Sequence, residues 1–378
     1  MRRLQVISAA LNTHCHNDSI TLIRPSSSSA KTSNMISSSP LRLWGAENFQ
    51  YEESPHPSTS LRIPGLTHES FDRDWNPKMT SIMQTSSIAR VYAFHTPLPP
   101  TSGNEKQTGK TRFFLDWPRL TQEFFTFVSS SEFVMSRALY KKSLKKWPLD
   151  MKFTLAHIGT CSIASTSEFF ACPDGKTSTA SELLWSNTNQ FVTVDRATRK
   201  ATRLPDWYLE RYKGKGYMDR GLVVKPFERP AATYAHPSVV QWTDTDNYNH
   251  TNWASYVRWA TDALHAAIFL QNSGTGASST RSYSPYQAPN LVSAEESARS
   301  ALHGITRDIV ARGLRKLHIS YLRECLQGER VETHVWQDRG GERELVYFSV
   351  VRDGEDVCQM KMWYFDALPE EEDDDYPV

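Results

Sequence analysis

Carboxylate, imidazole and thiol side chains lie in the last third of the chain, at positions where they could support hydrolysis of an acyl bond. Asp246 can act as the nucleophile or as the base that deprotonates water. His250 can orient water or pass a proton, because imidazole titrates near neutral pH. Glu324 can act as a base brought in from a following sheet, and Cys325 beside it is an alternative nucleophile.

The first two of these residues lie where an extended segment turns into a helix. Residues 238–242 favour a strand, and a short polar loop follows them. Apolar residues then recur at spacings of three and four, which predicts a helix over 252–270 with one buried face. Asn249, Thr251 and Asn252 are each suitable N-caps for it. Unpaired N–H groups at such a helix start suit a carbonyl oxygen that becomes an oxyanion.

Two short motifs in this region resemble those of known enzymes. The pattern D-x-D-x-x-x-H-x-N-x-x-x-Y resembles the active-site stretch of hot-dog-fold thioesterases, and it consists here of Asp244, Asp246, His250, Asn252 and Tyr256. The segment LHISYLREC, at 317–325, resembles the strand of plant and bacterial acyl-ACP thioesterases that carries a Tyr-x-Arg-Glu-Cys sequence. The two motifs occur in the family's order.

This resemblance implies an α+β protein with a tandem (double) hot-dog fold, in which each curled antiparallel sheet wraps a central helix. The family's catalytic positions fall on four residues of this chain: Asp246, His250, Glu324 and Cys325. At the start of the predicted helix, three residues are candidates for substrate binding: Asn252, Trp253 and Tyr256. The family also has an asparagine two residues after the second aspartate. Tyr248 stands there in this chain. Either Asn249 substitutes from a shifted loop, or the site resembles that of the hydroxybenzoyl-CoA type of hot-dog enzyme, which works without this asparagine.

Structural roles compete with catalytic ones for three residues of these motifs. Asp244 is better explained as a loop or cap residue than as a catalytic one, because it lies in the turn between strand and helix. For Cys325, an ordinary buried thiol is favoured over a nucleophile. Asn252 is expected to cap the helix and hold the loop, which would serve catalysis indirectly.

Composition limits the other classes of function. The 378-residue chain has a net charge of +1 and a pI near 7.7, which gives no sign of nucleic-acid binding. No apolar run reaches the ~18 residues that predict a membrane span. The five cysteines are scattered, which indicates reduced thiols in an intracellular compartment rather than a disulfide framework. We predict no cofactor and no metal site.

The N-terminal region, residues 1–85, is expected to be disordered and to lie outside the folded repeats. Residues 1–44 are basic, rich in serine and nearly free of acids, which fits an organelle transit peptide and a disordered tail equally well. A transit peptide would place the protein in the mitochondrial or another organelle matrix; without one it would be cytoplasmic. Residues 45–85 are rich in proline and serine and are interpreted as a linker.

The first repeat is predicted over 86–215. Its expected elements are a strand at 88–96, a helix at 118–147 and strands at 151–163, 165–172 and 182–195. A helix followed by a meander of strands is the hot-dog order, and residues 191–207 resemble the end of the first repeat of acyl-ACP thioesterases. No D-x-D-x-x-x-H counterpart precedes the helix. This repeat is therefore expected to be non-catalytic and to lend its aromatic helix to an acyl pocket.

Residues 216–235 are predicted to link the repeats, and the second, catalytic repeat spans 236–368. After its helix, strands are expected at 314–321, 329–338, 344–352 and 356–365, with hairpin turns at 339–341 and 353–354. Residues 271–300 are rich in Ser, Gly and Pro, which predicts a mobile insertion. The acidic end, 369–378, is interpreted as a solvated tail.

The residues and the resemblance together favour a thioesterase that hydrolyses fatty acyl thioesters of ACP or CoA to free fatty acid and carrier thiol. A hydratase of the same fold fits less well, because the Asp/His helix signature usual for hydratases is absent. A catalytically inactive acyl-thioester-binding or scaffold protein is the alternative that Tyr248 and the long insertion permit. Two repeats in one chain can complete the fold as a monomer, and a homodimer is also compatible. Five basic residues could meet an acidic ACP or the CoA phosphates, or form an ordinary solvated surface: Arg203, Arg211, Lys213, Lys215 and Arg220.

Overall fold

The computed structural model describes residues 45–99, 111–172, 181–246, 250–273 and 291–367. The strands in these residues are β1 Glu47–Glu52, β2 Ser58–Ile63, β3 Phe124–Met135, β4 Leu149–Ile158, β5 Ser162–Ala171, β6 Glu182–Asp195, β7 Tyr234–Val239, β8 Leu314–Tyr321, β9 Arg330–Trp336, β10 Leu345–Arg352 and β11 Glu355–Tyr364. The α-helices are α1 Met79–His95, α2 Trp117–Glu123, α3 Asp206–Tyr212, α4 Trp253–Ser273, α5 Leu291–Ala301 and α6 Arg307–Ala311. In this part of the chain no helix combines the length and apolar character of a membrane span.

The strands form one 11-stranded antiparallel sheet in the order β1-β2-β4-β5-β6-β3-β8-β11-β10-β9-β7. Apart from β1, this order contains one arrangement twice, as β2-β4-β5-β6-β3 and as β7-β9-β10-β11-β8. In each half the chain runs from the strand farthest from the junction through a long helix to the strand at the junction, and then through three more strands. This is the α+β tandem hot-dog fold, and the prediction of fold class is confirmed.

The two long helices, α1 and α4, pack on the sheet and contact each other. On α1, residues at spacings of three and four face the protein interior: Ile82, Met83, Ser86, Ala89 and Ala93. Alanine is prominent on the buried face of α4, with Ala260, Ala263, Ala266 and Ala267. Among these residues, a large apolar side chain such as Ile82 or Met83 stabilises the fold by about 1.5–3 kcal/mol when it is fully buried.

Strands β3 and β8 join the two repeats, and a charged cluster lies at their junction. Glu132 is opposite His318 in the strand register, next to the buried Phe133–Leu317 pair. The Glu132 carboxylate accepts a hydrogen bond from His318 Nε2 at 2.6 Å and lies 2.8 Å from Lys316 Nζ. The hydrogen bond from His318, with a further contribution from Lys316, lowers the pKa of Glu132 to about 2. Charge therefore reinforces the strand pairing that makes one sheet out of two.

Two segments of the first repeat have the opposite secondary structure from that predicted. Residues 88–95, predicted as strand, form the last turns of α1, because Ala89, Tyr92 and Ala93 continue its buried stripe. Residues 118–147, predicted as helix, contain most of α2, the long strand β3 and a 3₁₀ turn. Strand β3 pairs with β6 on one side and β8 on the other, so its phenylalanine-rich sequence belongs to a central strand. The central helix of the first repeat is therefore α1.

The interpretation of residues 45–85 as a disordered linker is also wrong. Strands β1 and β2 lie in this range, and α1 begins in it. Strand β2 pairs with β4 and buries Leu61 and Ile63. The range looks polar because β1 is an edge strand that exposes most of its side chains. Residues 1–44 lie outside the described residues, so the transit-peptide prediction stays a prediction.

The remaining strand predictions are confirmed, with shifts at their ends. Strands β4–β6 and β8–β11 match the predicted ones, whereas β7 ends at Val239, earlier than expected. The turn between β10 and β11 has φ of 51° at Asp353 and 81° at Gly354, as a tight hairpin requires. Part of the predicted mobile insertion is helical, because α5 packs on α4 and buries Ala298. Residues 274–290 and the acidic tail 369–378 lie outside the described residues.

Candidate active site

The loop between β7 and α4 is anchored by Asp244, which is only 2% exposed. Its Oδ2 accepts a hydrogen bond from the Gln241 N–H at 2.9 Å, and its Oδ1 pairs with Arg258. Its backbone carbonyl accepts the Asn252 N–H at 2.6 Å and so ties the start of the loop to the start of the helix. Asp244 therefore has a structural role, in agreement with the prediction from the sequence.

Asp246 and His250 pair across the tip of this loop. The Asp246 N–H donates to the His250 carbonyl at 2.8 Å, and the His250 N–H donates to Asp246 Oδ1 at 3.2 Å. These two bonds, together with a β-bridge between Thr245 and Thr251, fix the backbone of His250 and therefore the position from which its imidazole extends. Tyr248 and Asn249 lie outside the described residues, so the predicted substitution of Asn249 for the family's asparagine stays a prediction.

His250 contacts Glu324, which follows β8 in the chain. Nε2 of His250 is 2.9 Å from Oε2 of Glu324, and the two side chains are 12% and 33% exposed. The segments are held together because the Thr251 N–H and hydroxyl both donate to the Cys325 carbonyl, at 2.9 and 2.8 Å. Arg352 Nη1, at the end of β10, donates to the Glu324 carbonyl at 2.8 Å. The pair is thus positioned on a rigid scaffold yet remains open to a substrate.

The first repeat also contributes side chains to this site. Nη2 of Arg199 is 3.3 Å from Nε2 of His250, and the Phe127 ring lies 5.4 Å from the imidazole ring, centre to centre. The Arg199 guanidinium also lies 5.1 Å over the ring of Phe125. Arg199 belongs to the tight turn after β6, where its φ is 56°. The sequence singles out the basic turn at 191–207, but not this contact.

The N-terminal end of α4 presents a backbone donor beside the His250–Glu324 pair. Asn252 caps the helix, as expected, because its Oδ1 accepts the Ala254 N–H at 3.0 Å. The Asn252 carbonyl accepts the Ser255 N–H at 2.9 Å. Among the described residues, the Trp253 N–H donates no hydrogen bond. This N–H is therefore a candidate donor to a substrate carbonyl oxygen.

Cys325 and Tyr256 lie beneath the site rather than in it. The Cys325 side chain is fully buried and Tyr256 is 3% exposed. Burial raises the pKa of Cys325 to about 11, although a hydrogen bond from the Tyr256 hydroxyl favours the thiolate. Burial likewise raises the pKa of Tyr256 well above its ordinary value. The thiol is therefore protonated at neutral pH and has the environment of a structural cysteine.

Of the residues predicted for the site, the structure brings Asp246, His250 and Glu324 together. Trp253 is half-buried at the start of α4, where its ring faces Phe133 at 5.8 Å. Within the described ranges, no group of three or more His, Cys, Asp or Glu side chains is placed to hold a metal ion. The arrangement combines a carboxylate–imidazole pair with a backbone donor, which suits acid–base chemistry at a carbonyl group.

Comparison with known proteins gives matches of structure only. No family model and no curated protein matches the sequence. A protein from Lactobacillus plantarum described as an oleoyl thioesterase is similar with a TM-score of 0.54 and 15% identity, over 84% of this chain and 99% of that one. The 12:0-ACP thioesterase from Umbellularia californica is similar with a TM-score of 0.50 and 14% identity, over 81% of this chain and 97% of that one. At these identities the similarity establishes the shared fold.

Proposed function

We propose that the protein hydrolyses fatty acyl thioesters, carried by ACP or CoA, to a free fatty acid and a thiol. The observation that carries this proposal is the 2.9 Å contact between His250 Nε2 and Glu324 Oε2, beside the N-terminal end of α4. A base, a proton carrier and an oxyanion donor are the groups that this hydrolysis needs. The two thioesterases of the same fold named above add support from outside the chain.

In the proposed reaction, Glu324 takes one proton from a water molecule held beside His250. The resulting hydroxide attacks the thioester carbonyl carbon, and the carbonyl oxygen becomes an oxyanion. The Trp253 N–H and the positive end of the α4 dipole stabilise this charge. When the C–S bond breaks, its electron pair leaves with sulfur, and the proton on Glu324 passes to that thiolate directly or through His250. One water is consumed, and the acid and the thiol are released.

We assign the attack to water rather than to Asp246. Oδ1 of Asp246 already accepts the His250 N–H at 3.2 Å, so this carboxylate is committed to shaping the loop. A single turnover in ¹⁸O-labelled water tests the assignment. Attack by water places the label in the fatty acid. Attack by Asp246, followed by hydrolysis at the aspartyl carbonyl, places the label in the protein instead.

The carrier is the less constrained part of the proposal. Of the five basic residues considered for carrier contacts, three form ion pairs within the first repeat: Arg203 with Asp206, Arg211 with Asp116 and Lys215 with Glu53. Surface pairs of this kind contribute little stability and can exchange for phosphate or carboxylate groups of a carrier. Both ACP and CoA are therefore compatible with this surface.

The test of the proposed function is thiol release from acyl-CoA and acyl-ACP substrates over a range of chain lengths. Wild-type protein is compared with Asp246→Ala and Glu324→Ala, and folding of each is checked by thermal unfolding. We expect release by the wild type, a loss of about 10²–10⁴-fold in Glu324→Ala, which lacks the base, and a loss of about 10²-fold in Asp246→Ala, which lacks the contact that positions His250. Absence of release from every carrier by folded wild-type protein would reject hydrolysis and favour an inactive acyl-binding protein.

A further inference from the structure

Arg90 lies on α1, close to the first residue of α4. Its guanidinium is 5.2 Å from the Phe191 ring centre and 5.1 Å from the Trp253 ring centre. The side chain is half-buried, and its Nη1 atom is buried completely. Arg90 therefore places a buried N–H group next to the first residue of α4.

No acceptor in the described residues satisfies this arginine. Its Nη1 is buried without a hydrogen-bond partner, and Arg90 forms no ion pair there. Other well-buried arginines of the protein are paired with carboxylates: Arg62 with Asp150 at 2.8 Å, and Arg352 with Glu329 at 2.7 Å. The contrast matters because an unpaired buried charge opposes folding, and proteins normally pair such charges.

Aromatic rings hold the Arg90 cation but do not satisfy its N–H groups. The faces of Phe191 and Trp253 attract the positive charge, although a ring accepts an N–H group only weakly. Burial lowers the pKa of Arg90 to about 10, so the guanidinium still carries its charge at neutral pH. A planar, charged fork of N–H donors is the group that best binds a carboxylate.

The position of Arg90 connects it to the proposed reaction. Trp253, against which the guanidinium lies, supplies the N–H proposed for the oxyanion. Its carbonyl also accepts a hydrogen bond from the Tyr321 hydroxyl at 3.3 Å. In the proposed reaction the acyl carbonyl carbon lies at the start of α4, so the acyl chain begins close to the Arg90 guanidinium, which contacts the Trp253 ring. A purely hydrocarbon chain would leave the cation unsatisfied, whereas a chain with an anionic group would neutralise it.

We propose that Arg90 forms a subsite for a carboxylate on the acyl chain, so that the preferred substrates are thioesters of dicarboxylic acids. This inference rests on the proposed thioester hydrolysis, because it places the acyl chain of that reaction. The subsite discriminates by charge: the ω-carboxylate pairs with the guanidinium, whereas a methyl end leaves it buried and unpaired. Arg90 is thus a specificity-determining residue that the sequence motifs do not include.

The proposal is tested with non-hydrolysable CoA thioethers, which bind without reacting. S-alkyl-CoA and S-(ω-carboxyalkyl)-CoA of matched chain length, from six to about 16 carbons, are compared by calorimetry. Wild type, Arg90→Met and Arg90→Lys are measured. At the length that reaches Arg90, we expect the carboxyl ligand to bind wild type at least about tenfold more tightly than the alkyl ligand, and Arg90→Met to lose this preference. Arg90→Lys, which keeps the charge, should retain part of it.

Two outcomes would overturn the subsite. If Arg90→Met weakened the binding of both ligands equally, Arg90 would contact the part of the substrate that the two ligands share. An absence of any Arg90-dependent preference at every length would exclude carboxylate recognition. The melting temperature of Arg90→Met should equal or exceed that of wild type, because an unpaired buried cation is removed. Thiol release from the matching thioesters is measured in parallel, so Arg90-dependent binding without hydrolysis would reject the proposed function and leave the subsite standing.

Discussion

Nε2 of His250 lies 2.9 Å from Oε2 of Glu324, although a helix, an insertion and a strand separate the two residues in the chain. The contact depends on the fold, because His250 precedes the central helix of the second repeat and Glu324 follows the strand at the junction of the repeats. Two hydrogen bonds from Thr251 to the Cys325 carbonyl lock the two segments in register. The catalytic roles proposed here follow from this pair.

The two aspartates of the D-x-D pattern should respond differently to amidation. Asp244→Asn removes the charge that pairs with Arg258, in a position that is 2% exposed, and should lower the free energy of unfolding by about 1–3 kcal/mol. Asp246→Asn keeps the oxygen that accepts the His250 N–H but loses its charge. It should retain stability and keep kcat within about tenfold of wild type, because the oxygen that shapes the loop around His250 remains. Urea unfolding and thiol release, measured on both variants, check this, and the reverse pattern would refute the assignment.

Cys325 should be dispensable for hydrolysis. Burial raises the pKa of its thiol to about 11, so little thiolate exists between pH 7 and 8. We expect Cys325→Ala to keep kcat within about tenfold of wild type, with some loss of stability from the small cavity. Iodoacetamide should leave the activity of folded wild-type protein unchanged. A loss of activity by orders of magnitude in Cys325→Ala, at an unchanged melting temperature, would restore the thiol as the nucleophile.

Arg199 should act as a positioning residue supplied by the first repeat. Its Nη2 lies 3.3 Å from His250 Nε2. Arg196, on the same turn, lies over the same Phe125 ring but donates its hydrogen bond to the Thr121 carbonyl. Arg199→Met should lower kcat by about tenfold through loss of orientation of the imidazole. Arg196→Met is the matched control and should leave kcat unchanged. The pH–rate profile should change in the Arg199 variant only; equal effects of the two substitutions would argue for a general electrostatic role.

Glu132 should make the junction of the repeats sensitive to acid. Its pKa is lowered from 4.5 to about 2 in the folded protein, so its contribution is fully present above pH 4.5 and is lost as the pH falls toward 2. After allowance for solvent screening, that contribution is on the order of 1–2 kcal/mol. Glu132→Gln should therefore be less stable than wild type at pH 7, and the difference should shrink on acidification below pH 4.5.

Urea unfolding at several pH values measures this difference. Glu123→Gln, which removes an exposed carboxylate at the end of α2, is the control and should show no such pH-dependent gap. A gap between wild type and Glu132→Gln that stays constant or widens from pH 5 to pH 3 would contradict the role assigned to Glu132. The stabilisation by Glu132 falls on acidification because protonation removes the charge that the folded state prefers.

The sequence predicts the second repeat better than the first. Strands β8–β11 are separated by turns with glycine, and their alternation is easily recognised. Strand β3 lies between β6 and β8, so its phenylalanines are not arranged in a simple alternation and were interpreted as helical. Placing the start of the domain at residue 86 cuts off the first turns of α1, and the remaining segment at 88–96 is rich in β-branched and aromatic types. Local preference there is overridden by packing against α4.

The candidate site likewise contains residues that the sequence identifies and residues that it misses. His250 and Glu324 are found from motifs that lie on single elements, and Asn252 from the usual position of a helix cap. Arg199 and Arg90 are not found, because each reaches the site from the other repeat across contacts that no local pattern encodes. Their discovery requires the relative placement of the two repeats. The sequence locates the chemistry, and the fold determines which side chains surround it.

The central claim is that Glu324, held by His250, is the base for thioester hydrolysis, and the most direct test is kcat for thiol release by Glu324→Gln. The substitution keeps the shape of the side chain and removes its basicity, so we expect a loss of about 10²–10⁴-fold without loss of stability. Glu332→Gln, on an exposed carboxylate of β9, is the matched control and should behave as wild type. Full activity of folded Glu324→Gln on a substrate that the wild type hydrolyses would contradict the account.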